Sequence, residues 1–207
     1  MKTKTLLFIV LNDKDMNTIL AIATKTFDKS GEWQTPLGNL MADAILIQSN
    51  PIFFKRENKN IDICLINNGG LRANINKGNV SVRTAFEVMP FENTALVLAL
   101  SGQNIQEMAN FILKDKKPHP LSGISFIASK SGVATEIIVQ GKPLENDKIY
   151  YVATSDYLAT GGDKMDFFKK ATATYDINYK LRNILIDYLK VVDQIPISEV
   201  VRIKSKK

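Results

Sequence analysis

The sequence predicts an α+β fold in which helices and a mixed sheet share one core. Three observations lead there. Apolar runs of strand length alternate with segments of helical periodicity. Some strands are joined by tight turns and others by helices, so hairpins coexist with crossovers and the chain is not a clean β-α repeat. A chain of 207 residues with 45% hydrophobic content buries roughly 70% of its unfolded surface on folding, enough for one sizeable core.

Each element has its own signal. Ile19 to Thr24 is an apolar run of strand length and is expected to be buried. Thr35-Pro36-Leu37-Gly38-Asn39 leads into a helix with Leu40, Met41, Ala44, Ile45 and Leu46 on one side and Asp43 and Gln48 opposite. Asn50-Pro51 is expected to end it, because a residue before proline avoids helical dihedrals. Ile61 to Ile66 is apolar on both faces apart from Asp62, which suits a strand with neighbours on either side. It runs into Asn67-Asn68-Gly69-Gly70, a turn whose glycines permit positive φ and close backbone approach. Ser81 to Met89 reads as a short helix, Thr94 to Leu100 as a strand, and Gln103 to Leu113 as a helix capped by Ser101. Gly123–Ala128, Ala134–Gln140 and Lys148–Thr154 are strand candidates, the first two flanking the hairpin-like Ser129–Gly132. Asp156 to Gly162 reads as a loop, Tyr179 to Leu189 as an amphipathic helix, and Ile195 to Ile203 as a terminal strand.

Composition excludes several classes. The charged fraction of 23% is ordinary, so global disorder, collagen and coiled coil fall away. One cysteine, Cys64, excludes an intramolecular disulfide framework or a thiolate-rich metal site, and one histidine, His119, excludes a multi-histidine metal centre. His119 lies in Lys-Pro-His-Pro, a context in which exposure to solvent is expected. The net charge of +6 rests on lysines scattered along the chain, with only Arg56, Arg72, Arg83, Arg182 and Arg202 as arginines. No basic run alternates with aromatics, so no nucleic-acid platform is expected. No run reaches the ~18 apolar residues of a membrane span. Residues 1–18 form a separate segment. Leu6 to Leu11 follows two lysines like a secretory leader, but Asn12 to Asp15 interrupts it early, so it reads as a degenerate or truncated leader ahead of a domain at 19–207.

Three loops carry candidate chemistry. In Asn67-x-Gly69-Gly70-x-Arg72 an amide, two glycines and a guanidinium follow a strand end, a usual place for a ligand. Arg72 can fork onto vicinal hydroxyls or a phosphate, or simply sit on the surface of a tight turn. In Pro90-Phe91-Glu92-Asn93 the ring is either an exposed stacking surface or a plug for the core. In Tyr157-x-x-x-Gly161-Gly162-Asp163 the carboxylate can accept both hydrogens of a ribose diol, or serve only the turn.

Taken together, these loops resemble the C-terminal domain of the 5′-nucleotidase / UDP-sugar hydrolase family. The resemblance spans about Ile19 to Ile203. It rests on Thr35–Ala44, Asn67–Arg72, Val88-Met-Pro-Phe91 with Asn93, Ser122-Gly123, and Tyr151–Asp163. It implies a layered mixed-sheet domain (α/β/β/α) that binds the nucleoside part of a nucleotide. Phe91 would stack on one face of the base and Tyr157 would take the place of the second aromatic. Asn67 would touch the base edge or sugar, Arg72 the ribose or first phosphate, and Asp163 the ribose hydroxyls, with Asn93, Gly69, Gly70 and Gly162 in the same cleft. Two departures stand out. Relatives carry arginines just before the opening helix, whereas Ser30–Gln34 has none and offers Trp33, either as an apolar wall or packed on the core. The hydrolysis associated with the family takes place on a separate metallophosphoesterase domain with two divalent metals, whose histidine ligands are missing from this sequence. No catalytic residue and no metal or other cofactor is therefore expected here. The expected role is nucleotide recognition, supporting dephosphorylation together with a separate metallophosphoesterase. A stand-alone nucleoside-binding protein or a basic interaction module remains the alternative. The resemblance implies a periplasmic or cell-envelope location, and the incomplete leader keeps the cytoplasm open.

Overall fold

The computed structural model of the chain describes residues 13–205. In chain order the elements are α1 (Asp13–Met16), β1 (Ile19–Ala23), α2 (Pro36–Glu57), β2 (Ile63–Leu65), β3 (Gly78–Ser81), α3 (Val82–Val88), β4 (Thr94–Ser101), α4 (Gly102–Asp115), β5 (Leu121–Ser122), β6 (Ile124–Ala128), β7 (Ala134–Val139), β8 (Lys142–Pro143), β9 (Ile149–Ser155), α5 (Asp156–Ala159), β10 (Ala173–Lys180), α6 (Leu181–Lys190) and β11 (Ile203–Ser205). The expected leader falls mostly on residues 1–12, outside the described residues.

A five-stranded mixed sheet in the order β10-β4-β9-β2-β5 carries the core. Only β2 and β9 run parallel in it, and the other pairs are antiparallel. A four-stranded sheet, β11-β6-β7-β8, and a two-stranded ribbon, β1-β3, complete the layered mixed α+β architecture. Helix α2 packs on β2, β5, β9, β10 and α6, and α4 packs on β4, β9 and β7. The register of the large sheet decides which loops meet. Ala95 at the start of β4 faces Ser155 at the end of β9, and β2 lies parallel to β9. The chain leaving β2, the chain entering β4 and the chain leaving β9 therefore emerge at one end of the sheet. Those are the three candidate loops.

Local sequence accounts for the element ends. Thr35 accepts the Gly38 amide at 2.9 Å and Pro36 takes the first helical position, so α2 starts where expected. Ser81, Ser101 and Ser155 cap α3, α4 and α5 through the same kind of bond.

Several expectations are corrected. Helix α2 does not stop at Pro51; it continues to Glu57 and closes on Asn58 in the left-handed region, φ 53°. Proline there removes a helix hydrogen bond, but Phe53 beyond it is fully buried against Tyr151 and Tyr175, with ring centroids 5.3 and 5.2 Å away, and this anchors the last turns. Asn50, beside the proline, accepts the Ile61 amide at 2.7 Å and so ties the helix to the segment entering β2. The run at Ile19 is only half-buried: Ala21 and Ala23 face inward while Ile19 and Ile22 are exposed, because it pairs in a ribbon rather than a central sheet. Ile195 to Arg202 is irregular, and only Ile203–Ser205 is strand. Pro196 breaks the run, and Ile197, Val200 and Val201 face solvent. Tyr179 belongs to strand β10 rather than to the last helix, which begins at Leu181. Asp156 to Ala159 forms a helical turn instead of loop.

Candidate functional site

The three loops enclose a cleft of about 400 Å³. Asn67, Gly69, Gly70 and Arg72 line it from the first loop, Phe91 and Asn93 from the second, and Tyr157 and Asp163 from the third. Of the sequence-predicted set only Gly162 does not line the cleft, and it acts from beneath. A Cβ there would lie 2.6 Å from two ring carbons of Tyr157 and 2.7 Å from the Tyr157 carbonyl oxygen. Glycine at 162 is thus what lets the tyrosine ring lie where it does.

Both aromatic rings are open to solvent, Phe91 at 44% and Tyr157 at 46% exposure. Phe91 is therefore not a plug for the core. The Arg72 guanidinium stands 6.0 Å from the Phe91 ring centroid, and its Nη1 donates to the Gly69 carbonyl at 3.3 Å. Asp163 joins the walls. Its Oδ2 accepts from Asn67 Nδ2 at 2.7 Å and its Oδ1 accepts from the Tyr157 hydroxyl at 2.9 Å, while the Asp163 amide donates back to that hydroxyl oxygen at 3.2 Å. A carboxylate offers about four lone-pair directions, so Asp163 retains acceptor capacity toward the cleft. Its backbone is left-handed, φ 52°, and so is that of Lys164, φ 63°. Two successive non-glycine residues in that region mark a strained turn, and it carries the cleft's carboxylate.

The profile of the family described as "5′-nucleotidase, C-terminal domain" matches residues 17–170. The chain belongs to that family. Among curated relatives it is 27% identical over 175 residues to the trifunctional nucleotide phosphoesterase protein YfkN of Bacillus subtilis, covering 76% of this chain and 11% of that protein. It is 28% identical over 106 residues to protein UshA of Escherichia coli, covering 49% of this chain and 19% of the other. Among solved structures, a 5′-nucleotidase precursor from Thermus thermophilus superposes with a TM-score of 0.79 at 26% identity, over 93% of this chain and 40% of that one. The chain thus spans well under half the length of these relatives. No cluster of three or more His, Cys, Asp or Glu residues among the described residues is placed to hold a metal ion.

In this 5′-nucleotidase C-terminal domain, buried and half-buried polar groups hold the loops from behind, and sequence reasoning missed most of them. Asp156 takes the Asn93 side-chain amide at 2.8 Å, the Thr94 hydroxyl at 3.2 Å and the Tyr157 amide at 2.8 Å. Burial works against its charge, but these hydrogen bonds outweigh it and hold its carboxyl below the usual range. Arg182 is buried on the Phe86 ring, 4.0 Å from centroid to Cζ. It donates to the Met89 carbonyl at 3.3 Å and the Phe91 carbonyl at 3.5 Å and pairs with Glu92, which also pairs with Lys180. That set fixes the turn presenting Phe91. Lys29 donates to the Leu71 carbonyl at 2.7 Å, beside Arg72. A lone buried arginine in an otherwise apolar helix face was the available signal for Arg182; for Lys29 the sequence held none.

Two further expectations are revised, and for Trp33 the structure takes the core-packing alternative. Neither Gly69 nor Gly70 has positive φ. They lie in a 3-10 turn, Asn68–Gly70, and a Cβ on Gly70 would come within 3.1 Å of the Asn67 side-chain oxygen, a tight contact, so of the two expectations close approach applies at Gly70 and positive φ does not. His119 is buried, with 3% exposure, and reaches both Asp115 and the Asn68 amide. Partners for both ring nitrogens hold it inward despite the polar, proline-rich context. Trp33 packs against the core and donates to the Ser205 hydroxyl at 3.1 Å, away from the cleft. Cys64 is fully buried, and burial pushes its thiol pKa far up, which removes it as a nucleophile.

Proposed function

We propose that this domain recognises the nucleoside part of a nucleotide and supports dephosphorylation performed by a metallophosphoesterase carried on another domain or chain. One observation carries the reading: two solvent-open rings and a carboxylate, from three distant segments, line a single cleft. The base lies between Phe91 and Tyr157, where each stacked face contributes roughly 1–3 kcal/mol with little discrimination among bases. Asp163 accepts from the ribose hydroxyls, Asn67 and Asn93 meet polar edges, and Arg72 reaches the sugar or first phosphate. The stretch Ser30–Gln34 lacks arginine, so phosphate adds less to affinity here than the nucleoside does. By the same resemblance the domain works in the periplasm or cell envelope; no helix among the described residues is long and apolar enough to cross a membrane.

Calorimetry with adenine, adenosine, AMP and a short oligonucleotide tests the reading. Phe91→Ala should weaken base and riboside alike, by roughly 5- to 150-fold for the loss of one stacked face. Asp163→Ala should weaken ribosides and spare the free base. Tighter binding of the oligonucleotide, indifferent to both substitutions, would sink the proposal. Equal losses for adenine and adenosine on Asp163→Ala would remove the role given to that carboxylate.

A further inference from the structure

We propose that His119 is a positioning residue for the cleft, that it acts through the Asn68 amide, and that only its neutral form holds the 67–72 loop in the shape that binds ligand. This rests on the nucleoside reading above for the identity of the ligand, and on geometry for everything else.

The imidazole is buried, and its Nδ1 accepts the Asn68 backbone N–H at 3.2 Å. A ring nitrogen that accepts carries no hydrogen, so the proton of the neutral ring is on Nε2, which donates to Asp115 Oδ2 at 2.9 Å. Asn68 opens the 3-10 turn that sets the direction of Asn67 on one side and of Arg72 on the other. The Asn68 side-chain oxygen is buried with no hydrogen-bond partner, so the main chain does the holding at this point. Asn67 in turn donates to Asp163, which accepts from Tyr157. One buried ring is thus connected, bond by bond, to three cleft residues.

Protonation would put a hydrogen on Nδ1 facing the Asn68 N–H, two donors aimed at each other. The charged groups around the ring are Asp115 at the end of α4 and Asp163 from the cleft, which favour imidazolium, and Lys117 from the preceding loop, which opposes it. Phe111 of α4 adds an apolar wall, with ring centroids 6.3 Å apart. Burial is the largest influence and keeps the pKa below the ordinary histidine value, so the neutral form prevails near neutrality.

The chain has a single histidine, which makes the experiment clean. Nuclear magnetic resonance on the full chain locates the His119 titration and its tautomer. Adenosine affinity is then measured by calorimetry about one pH unit on either side of that midpoint. The expected result is the Nε2–H tautomer, amide shifts of Asn68 to Gly70 that follow the same titration, and affinity at least about threefold weaker on the acid side, which is what the roughly fivefold cost of one ordinary hydrogen bond leaves when each sample still holds about a tenth of the other form. H119N places an untitratable acceptor where Nδ1 lies, so the ratio of the two affinities should fall to about one. H119Q places its amide where Nε2 lies and should weaken binding on both sides. An Nδ1–H tautomer, Asn68 shifts indifferent to the titration, or an unchanged pH ratio in H119N would overturn the proposal. No adenosine binding at any pH, with Asn68 still following His119, would instead refute the nucleoside reading.

Discussion

Gly162→Ala puts the cleft's construction to a sharp test. The backbone at 162 is not in the left-handed region, so alanine meets no dihedral penalty there. The obstacle is contact. The new methyl would lie 2.6 Å from Cε1 and Cζ of Tyr157 and 2.7 Å from the Tyr157 carbonyl oxygen. Comfortable carbon–carbon contact begins near ~3.5 Å, so the shortfall is about 1 Å. The ring can swing away, but the carbonyl belongs to α5 and cannot. Overpacking of this kind costs typically ~1–3 kcal/mol, which in a chain of this size lowers Tm by about 3 to 10 °C. The displaced ring also gives up its hydroxyl bond to Asp163 and its stacking face, a loss of about 1–3 kcal/mol in binding, or roughly 5- to 150-fold in Kd. Thermal melting and calorimetry with adenosine read the two effects separately. Gly69→Ala is the stability control, because its methyl would meet nothing nearer than Asn67 Nδ2 at 3.5 Å and Tm should not move. A folded Gly162→Ala protein with wild-type adenosine affinity would show that the Tyr157 ring is not a wall of the binding site.

Three other perturbations address the scaffold. Pro51→Ala should raise stability by about 1–2 kcal/mol, since it restores a helix hydrogen bond inside α2 while giving back some unfolded-state entropy; chemical denaturation checks it, and adenosine affinity should not change. Asp43→Ala removes the carboxylate partner, at 2.6 Å, of the Arg202 guanidinium, which is 5% exposed and keeps only the Leu121 carbonyl and the Ser198 hydroxyl. The expected cost is about 3 kcal/mol, toward the lower end for a broken buried pair because Asp43 itself is partly exposed, and a loss below about 1 kcal/mol would mean that the C-terminal tether is held by other contacts. Asp156 should contribute to acid unfolding. Its folded pKa lies below the unfolded value, so its stabilisation is present above the usual carboxylate range and disappears as pH falls through the depressed value. In Asp156→Asn the stability-versus-pH curve below about pH 4 should be shallower than in the wild type.

Much of this was readable from residue order, and the failures share physical causes. The motifs at 67–72, 90–93 and 157–163 were legible because glycine, proline and aromatics set in polar turns stand out locally. That they meet was not legible locally; it follows from β2 lying parallel to β9 and antiparallel pairing of β9 with β4, a property of the sheet. Pro51 misled because tertiary burial of Phe53 outweighs a local helix breaker. Strand β10 went unread although Tyr175, Ile177 and Tyr179 alternate with polar residues, because Asn178 at φ 54° interrupts the register before Lys180. His119 misled for the opposite reason: a polar, proline-rich context says nothing about an inward turn that only Asp115 and Asn68 reward.

Three supports behind the loops also explain why a cleft built on loops can be selective. Asp156 fixes Asn93 and the base of Tyr157, Arg182 fixes the Phe91 turn, and His119 fixes the segment leading to Arg72. Each is a buried or part-buried group that bonds at least one backbone group of the loop it holds, so removing one leaves a desolvated atom as well as a freer loop. With the walls fixed before a ligand arrives, little side-chain entropy remains to be lost on binding. Ring spacing is then a property of the scaffold. On the proposed reading a flat heterocycle would lie between Phe91 and Tyr157 whatever its edge pattern, and discrimination would pass to Asp163, which would reward a sugar diol. On this account the domain should be tolerant toward the base and strict toward the ribose, and 2′,3′-dideoxyadenosine should bind more weakly than adenosine by about 1–3 kcal/mol. Equal calorimetric affinities for those two ligands would contradict it.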